Sequence, residues 1–222
     1  MFKFGEKERA QAIMQKLRDS FTLPHWISSR HDPFETMIVT IISQNTSDRN
    51  TDRAFQRLSQ KFPITPQALA SAETAEIEEC LKVAGLYRNK ARVIKEVSKI
   101  ILERFGGNLK AILALPFEEA RKALMELPGV GPKTADVLLL FSAGQPTIPV
   151  DTHVKRVSKR LGLAPADGDY EDVRRSLQLL YKPEDYTAVH ILLILLGRRH
   201  CKARNPDCKH CPVNDLCPSK RL

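Results

Sequence analysis

Leu127-Pro128-Gly129-Val130-Gly131-Pro132-Lys133-Thr134 joins two stretches of helical periodicity, roughly 117–126 and 132–144. Gly129 and Gly131 can take positive φ, which a tight turn between helices needs. Pro132 suits the first position of the second helix, where its missing N–H costs nothing. The segment reads as helix, short turn, helix. The turn amides of Gly129, Val130 and Gly131, with the N-terminus of the second helix, make an anion site. A backbone phosphate of a nucleic acid fits there without any base being read. A P-loop is excluded, because Pro132 separates Gly131 from Lys133 and a helix precedes the turn.

Outward from this hairpin the helical pattern continues almost throughout. Candidate helices are 5–20, 33–43, 48–61, 66–71, 75–83, 88–105, 107–114, 117–126, 132–144, 152–161, 169–180 and 184–197. Thr74 is a candidate N-cap for 75–83, with Glu76 in its first turn. Gly85 and Gly106-Gly107 mark C-termini. Pro146-Thr147-Ile148-Pro149-Val150 is the best strand candidate, but its two prolines make it an extended connector. The expected fold class is therefore all-α.

The chain has 222 residues, enough for one large or two small domains. Its longest apolar run, Ile191 to Leu196, is too short to span a membrane and reads as a buried helix. MFKFGEKERA lacks the apolar core of a signal peptide, so a cytoplasmic location is expected. The formal charge of +9 favours a polyanionic partner over a neutral one.

Three further features carry chemistry. Lys133 falls in the first turn of a helix, where the dipole disfavours a cation and so helps lower the pKa of an amine nucleophile. Its commoner fate is a solvated lysine or a phosphate contact. Asp151 lies eighteen residues beyond and opens the helix 152–161. It serves there as an N-cap, and as a fixed carboxylate it can also support a cationic transition state or act as a base. Cys201, Cys208, Cys211 and Cys217 read C-x6-C-x2-C-x5-C, close enough to hold one metal centre, an iron–sulfur cluster or a zinc ion. Cys80 falls on an apolar helical stripe and reads as a small buried hydrophobe.

These residues resemble the endonuclease III family of helix-hairpin-helix DNA glycosylases. LPGVGPKTADVLL with Lys133 looks like its hairpin and catalytic lysine, and IPVDTHVKRVSKRLGL like its aspartate segment. The cysteine spacing matches its [4Fe–4S] loop. Ile41-Ile42-Ser43-Gln44-Asn45-Thr46-Ser47-Asp48 and Gly85-Leu86-Tyr87-Arg88-Asn89-Lys90-Ala91 also match, so the likeness runs from about residue 8 to 218. The resemblance implies a six-helix barrel domain over 25–143 and a cluster domain built from 1–24 plus 144–222. It implies a bifunctional DNA glycosylase that removes oxidised pyrimidines from double-stranded DNA and nicks abasic sites through a Schiff base on Lys133, assisted by Asp151. A monomer suffices for that chemistry, at the nucleoid in the cytoplasm. Gln44 or Asn45 would fill the gap left by the flipped nucleotide, and Leu86 would wedge into the stack. Family members usually carry Ala-Gln where this chain has Gln44-Asn45, which leaves the opposite-base preference open. The basic residues Arg198, Arg199, Lys202, Arg204, Lys209, Lys220 and Arg221 surround the cysteine loop.

Two alternatives stand beside this reading. One is a monofunctional glycosylase for mismatched thymine, uracil or adenine, whose relatives carry Tyr or Ser in place of Lys133. The other is a non-catalytic DNA-binding module, which needs neither Lys133 nor Asp151 at this spacing.

Overall fold

The computed structural model describes residues 5–24 and 32–221. The all-α expectation is borne out: the described residues form twelve α-helices and two single 3-10 turns, with no strand. They are α1 Glu6–Ser20, α2 Pro33–Ser43, α3 Asp48–Lys61, α4 Pro66–Ser71, α5 Thr74–Leu81, α6 Tyr87–Phe105, α7 Leu109–Leu113, α8 Phe117–Met125, α9 Pro132–Phe141, α10 Thr152–Arg160, α11 Tyr170–Leu180 and α12 Tyr186–Arg199. The chain divides into two compact units, Arg30–Gln145 and Met1–Ser29 with Pro146–Leu222. The domain boundary read at residue 25 lies outside the described residues.

Local chemistry explains where the helices begin. Asp32 caps α2 by accepting from the Phe34 and Glu35 amides, with Pro33 at the first helical position. Ser47 and Thr65 cap α3 and α4 in the same way. The Thr74 reading is off by one residue. Glu73 occupies the cap without a side-chain hydrogen bond and Thr74 is already helical. Glu76 is in the first turn as expected, and also pairs with Lys61 at 2.9 Å.

In the unit Arg30–Gln145 the core is built on α2 and α6. Met37, Ile38, Ile41 and Ile42 of α2 are fully or almost fully buried. On α6 the buried positions are Lys90, Ala91, Ile94, Val97, Ser98 and Ile101, a stripe of helical period. α6 packs along α4, α5 and α2, and Gly106 ends it with φ 60. α8 and α9 pack together as the hairpin. Its two glycines differ, which corrects the sequence reading. Gly129 has φ 75, whereas Gly131 is extended at φ −90 and ψ −179. The reason is Pro132, whose ring disfavours helical backbone in the residue before it.

The other unit is organised by α12. Residues from Tyr186 to Gly197 are buried on nearly every side. α10 packs close to it: a Cβ on Gly197 would lie 3.0 Å from Cβ and Nδ1 of His153. No described helix is long and apolar enough to cross a membrane.

Candidate active site and cluster loop

Lys133 lies in the first turn of α9, two residues beyond Gly131, and is half-buried. The hairpin beneath it is held by a buried ion pair: Arg121 of α8 donates from Nε to Asp136 Oδ1 of α9 at 2.8 Å. The turn is seated on α6, because a Cβ at Gly129 would overlap Val93 Cγ1. Gln44, in the loop after α2, donates from Nε2 to the Gly129 carbonyl at 3.0 Å. Asn45 follows with φ 53, and Leu86 opens α6 with φ 55. Both lie in the left-handed region that non-glycine residues rarely enter. Leu86 is 63% exposed and so takes no part in the core. The loops carrying Gln44, Leu86 and Gly129 thus meet around the N-terminal half of α6. No role for Lys90 was legible in the sequence, yet its buried ammonium joins two of those loops. The available signal was a lysine on the apolar stripe 90/94/97/101.

Asp151 caps α10, accepting from the Val154 amide at 2.7 Å. The connector before it is pinned on both sides. His190 donates from Nδ1 to the Pro149 carbonyl at 2.8 Å, and the Val150 amide donates to the Tyr170 hydroxyl. Within α10, Arg156 donates to the carbonyls of Cys201 and Gly197, and to His153 Nδ1 at 3.1 Å. A guanidinium only donates, so His153 accepts there. This is a structural placement for His153. Arg9 closes the far end of α10 by donating to the carbonyls of Leu161, Gly162 and Leu216.

Cys201, Cys208, Cys211 and Cys217 line one cavity of about 220 Å³, floored by Leu161 and Leu196. None is in a disulfide. Burial, reinforced by the other three sulfurs, pushes the Cys211 thiol up to about 11, and burial also raises Cys217. Four half-buried cysteines around one cavity need a cationic centre to be held as thiolates. Arg160 adds a donor to Cys201 Sγ at 3.5 Å. Four cysteines lining one cavity match a cluster whose four irons each take one thiolate.

Residues 38–183 match the model of the HhH-GPD superfamily base excision DNA repair protein, and 201–217 match the iron-sulfur binding domain of endonuclease III. Endonuclease III of Bacillus subtilis is 36% identical over 95% of this chain and 92% of its own. The Escherichia coli enzyme of the same name is 35% identical over 96% and 97%. The chain belongs to the endonuclease III family. A solved endonuclease III trapped on DNA as a covalent intermediate superposes with a TM-score of 0.84 at 33% identity, covering 99% of this chain and 97% of that one. This protein is accordingly a base-excision repair enzyme, a DNA glycosylase for oxidised pyrimidines that also has AP lyase activity, and it binds DNA. Its cofactor is a [4Fe–4S] cluster, for which the four cysteines are the donor set that fits.

Proposed function

We propose that Lys133 is the nucleophile of this endonuclease III homologue and that Asp151 supports it. The target nucleotide leaves the base stack before reaction. The neutral amine of Lys133 attacks C1′ of the deoxyribose. The N–C1′ bond forms as the glycosidic bond breaks, and the base departs with its bonding electrons and takes a proton. Opening of the sugar ring yields a protonated Schiff base. Loss of a C2′ proton then expels the 3′ phosphate and cuts the strand. The Asp151 carboxylate, fixed by its cap bond to Val154, stabilises positive charge on the sugar or takes the proton of the amine.

The observation that carries this reading is Lys133 in the first turn of α9, directly behind a hairpin that offers amides to a phosphate. The covalent DNA intermediate of the solved relative is consistent with an amine in that role. Asn45 is the better gap-filling candidate, because Gln44 already spends its amide on Gly129. Leu86, exposed at the start of α6, is the wedge. Gly129 and Gly131 supply the phosphate contacts, and Val130, whose amide donates to the Leu127 carbonyl at 3.1 Å, holds the turn between them. The cluster holds the basic loop 201–217 in shape, and the reaction uses no electrons from it. The substrate is double-stranded DNA with a damaged base or an abasic site, met by a monomer at the nucleoid in the cytoplasm.

Borohydride trapping on duplexes carrying thymine glycol or an abasic site tests this, with Lys133→Gln as control. A covalent complex on both DNAs, absent in the variant, is expected. Trapping by the pure variant would remove the lysine assignment. Trapping on abasic DNA alone would leave lyase chemistry with a different base preference.

A further inference from the structure

Lys90 is a cation buried without an anion. It is 3% exposed and sits on the apolar stripe of α6 between Tyr87 and Ile94. An ammonium has three N–H donors, and each has an acceptor here. They are the Ile42 carbonyl at 2.8 Å, the Ala84 carbonyl at 2.9 Å and Thr46 Oγ1 at 2.5 Å. None is a carboxylate. Burial accordingly holds the pKa of Lys90 below the ordinary 10.5. A buried charge is costly unless its hydrogen bonds are complete, so a lysine in this place needs a reason.

The three acceptors supply one. Ile42 lies in the last turn of α2, where the helix dipole favours a cation. Thr46 directly follows Gln44 and Asn45. Ala84 directly precedes Gly85 and Leu86. The two turns abut, since a Cβ on Gly85 would lie 3.9 Å from the Asn45 carbonyl oxygen. Asn45 and Leu86 both hold left-handed backbone. Such conformers are strained and persist only where the surroundings over-determine them.

We propose that Lys90 is a positioning residue that locks the 43–46 turn to the 84–86 turn, so that Asn45 and Leu86 enter a duplex as one rigid probe. This rests on the reading above that these two residues contact DNA. Its consequence is a split. Extruding a nucleotide from a duplex depends on the lock, whereas amine chemistry on an abasic site already free of a stack does not.

The test uses the full-length, cluster-loaded protein and the variant Lys90→Met. Extrusion is followed by stopped-flow fluorescence of 2-aminopurine beside a thymine glycol in a duplex. Amine chemistry is followed by borohydride trapping on single-stranded abasic DNA. Extrusion is expected to slow by about tenfold or more while trapping stays within about twofold. Thr46→Val removes one of the three acceptors of Lys90, together with the Thr46 hydroxyl's bond to the Gln44 carbonyl at 3.2 Å, and is expected to give the same split at a smaller size. It carries the test if Lys90→Met does not fold. Wild-type extrusion in the folded variants, or equal loss of both readouts, overturns the proposal. Asn45→Ala and Leu86→Ala run alongside separate it from the reading it rests on. If these two extrude at the wild-type rate, the DNA-contact reading fails. If they are slow and Lys90→Met is not, the lock alone fails.

Discussion

The α-carbon of Gly129 faces Val93 so closely that a methyl group on it would overlap Val93 Cγ1. The hairpin turn is thereby seated on the side of α6, three residues along from Lys90. Gly129 also holds φ 75, which an L side chain rarely adopts. Gly131, two residues on, is extended and has open space around its missing Cβ. Gly129→Ala is therefore expected to destabilise by about 2 kcal/mol or more, from backbone strain and overlap together. Gly131→Ala should fall within about 0.5 kcal/mol of wild type. Urea midpoints of the two variants check the contrast.

The Arg121–Asp136 pair ties α8 to α9 with the carboxylate fully buried. Breaking a buried pair leaves one charge without its counter-charge, so Arg121→Leu should cost about 3 kcal/mol. Removing both charges, as Arg121→Leu with Asp136→Leu, should recover part of that loss. A double-mutant cycle in urea measures the difference, and a fully additive result would contradict the pairing.

Asp151 has two separable duties. Asparagine caps a helix about as well as aspartate, so Asp151→Asn should leave stability within about 0.5 kcal/mol. Its single-turnover base-release rate should nonetheless fall by about a hundredfold or more. Asp151→Ala loses the cap as well and should cost about 1 kcal/mol. Single-turnover kinetics beside thermal melts separate the two effects.

The pH dependence of Lys90 has a definite sign. Its pKa is lower folded than unfolded, so between the folded value and 10.5 the unfolded chain binds more protons. Stability then rises with pH. The burial cost is fully present below the folded pKa and is relieved as pH climbs through it toward 10.5. Wild type should gain on Lys90→Met across that interval when urea midpoints are compared at stepped alkaline pH. A constant difference would show that the lysine titrates normally.

The loop 201–217 is held by short turn bonds, such as Cys211 to the Cys208 carbonyl at 3.4 Å, and by buried Val213 and Leu216. Arg9, Arg156 and Arg160 add donors to its carbonyls, and cluster ligation is expected to supply further order. Cys211→Ser should lose the visible absorption of the cluster, open this loop to protease and weaken duplex binding, while α2 to α9 stay protected. Limited proteolysis with mass mapping reads this directly.

Helix limits were legible because punctuation is local. Asp32-Pro33, Thr65-Pro66 and Gly106-Gly107 stop or start helices by bonds within one turn of the chain, and the observed limits follow them. Thr74 misled by one residue because neither it nor Glu73 makes a side-chain cap that would decide the register. Gly131 was read by residue type, although Pro132 beside it already dictated extended backbone. Asp151 and the four cysteines were readable because a cap and a ligand loop are also built from near neighbours in sequence.

The sequence by itself determined an all-helical chain, a hairpin with a lysine behind its turn, a capping aspartate and a cysteine loop able to hold a cluster. Each of these depends on spacings of a few residues. The tertiary structure alone decided that Gln44 binds Gly129, that Lys90 is buried against Ile42, Thr46 and Ala84, and that Leu86 is left exposed. Such pairings join groups up to 85 positions apart. Which donor meets which acceptor at that separation is set by how the helices pack, and no local periodicity carries that information.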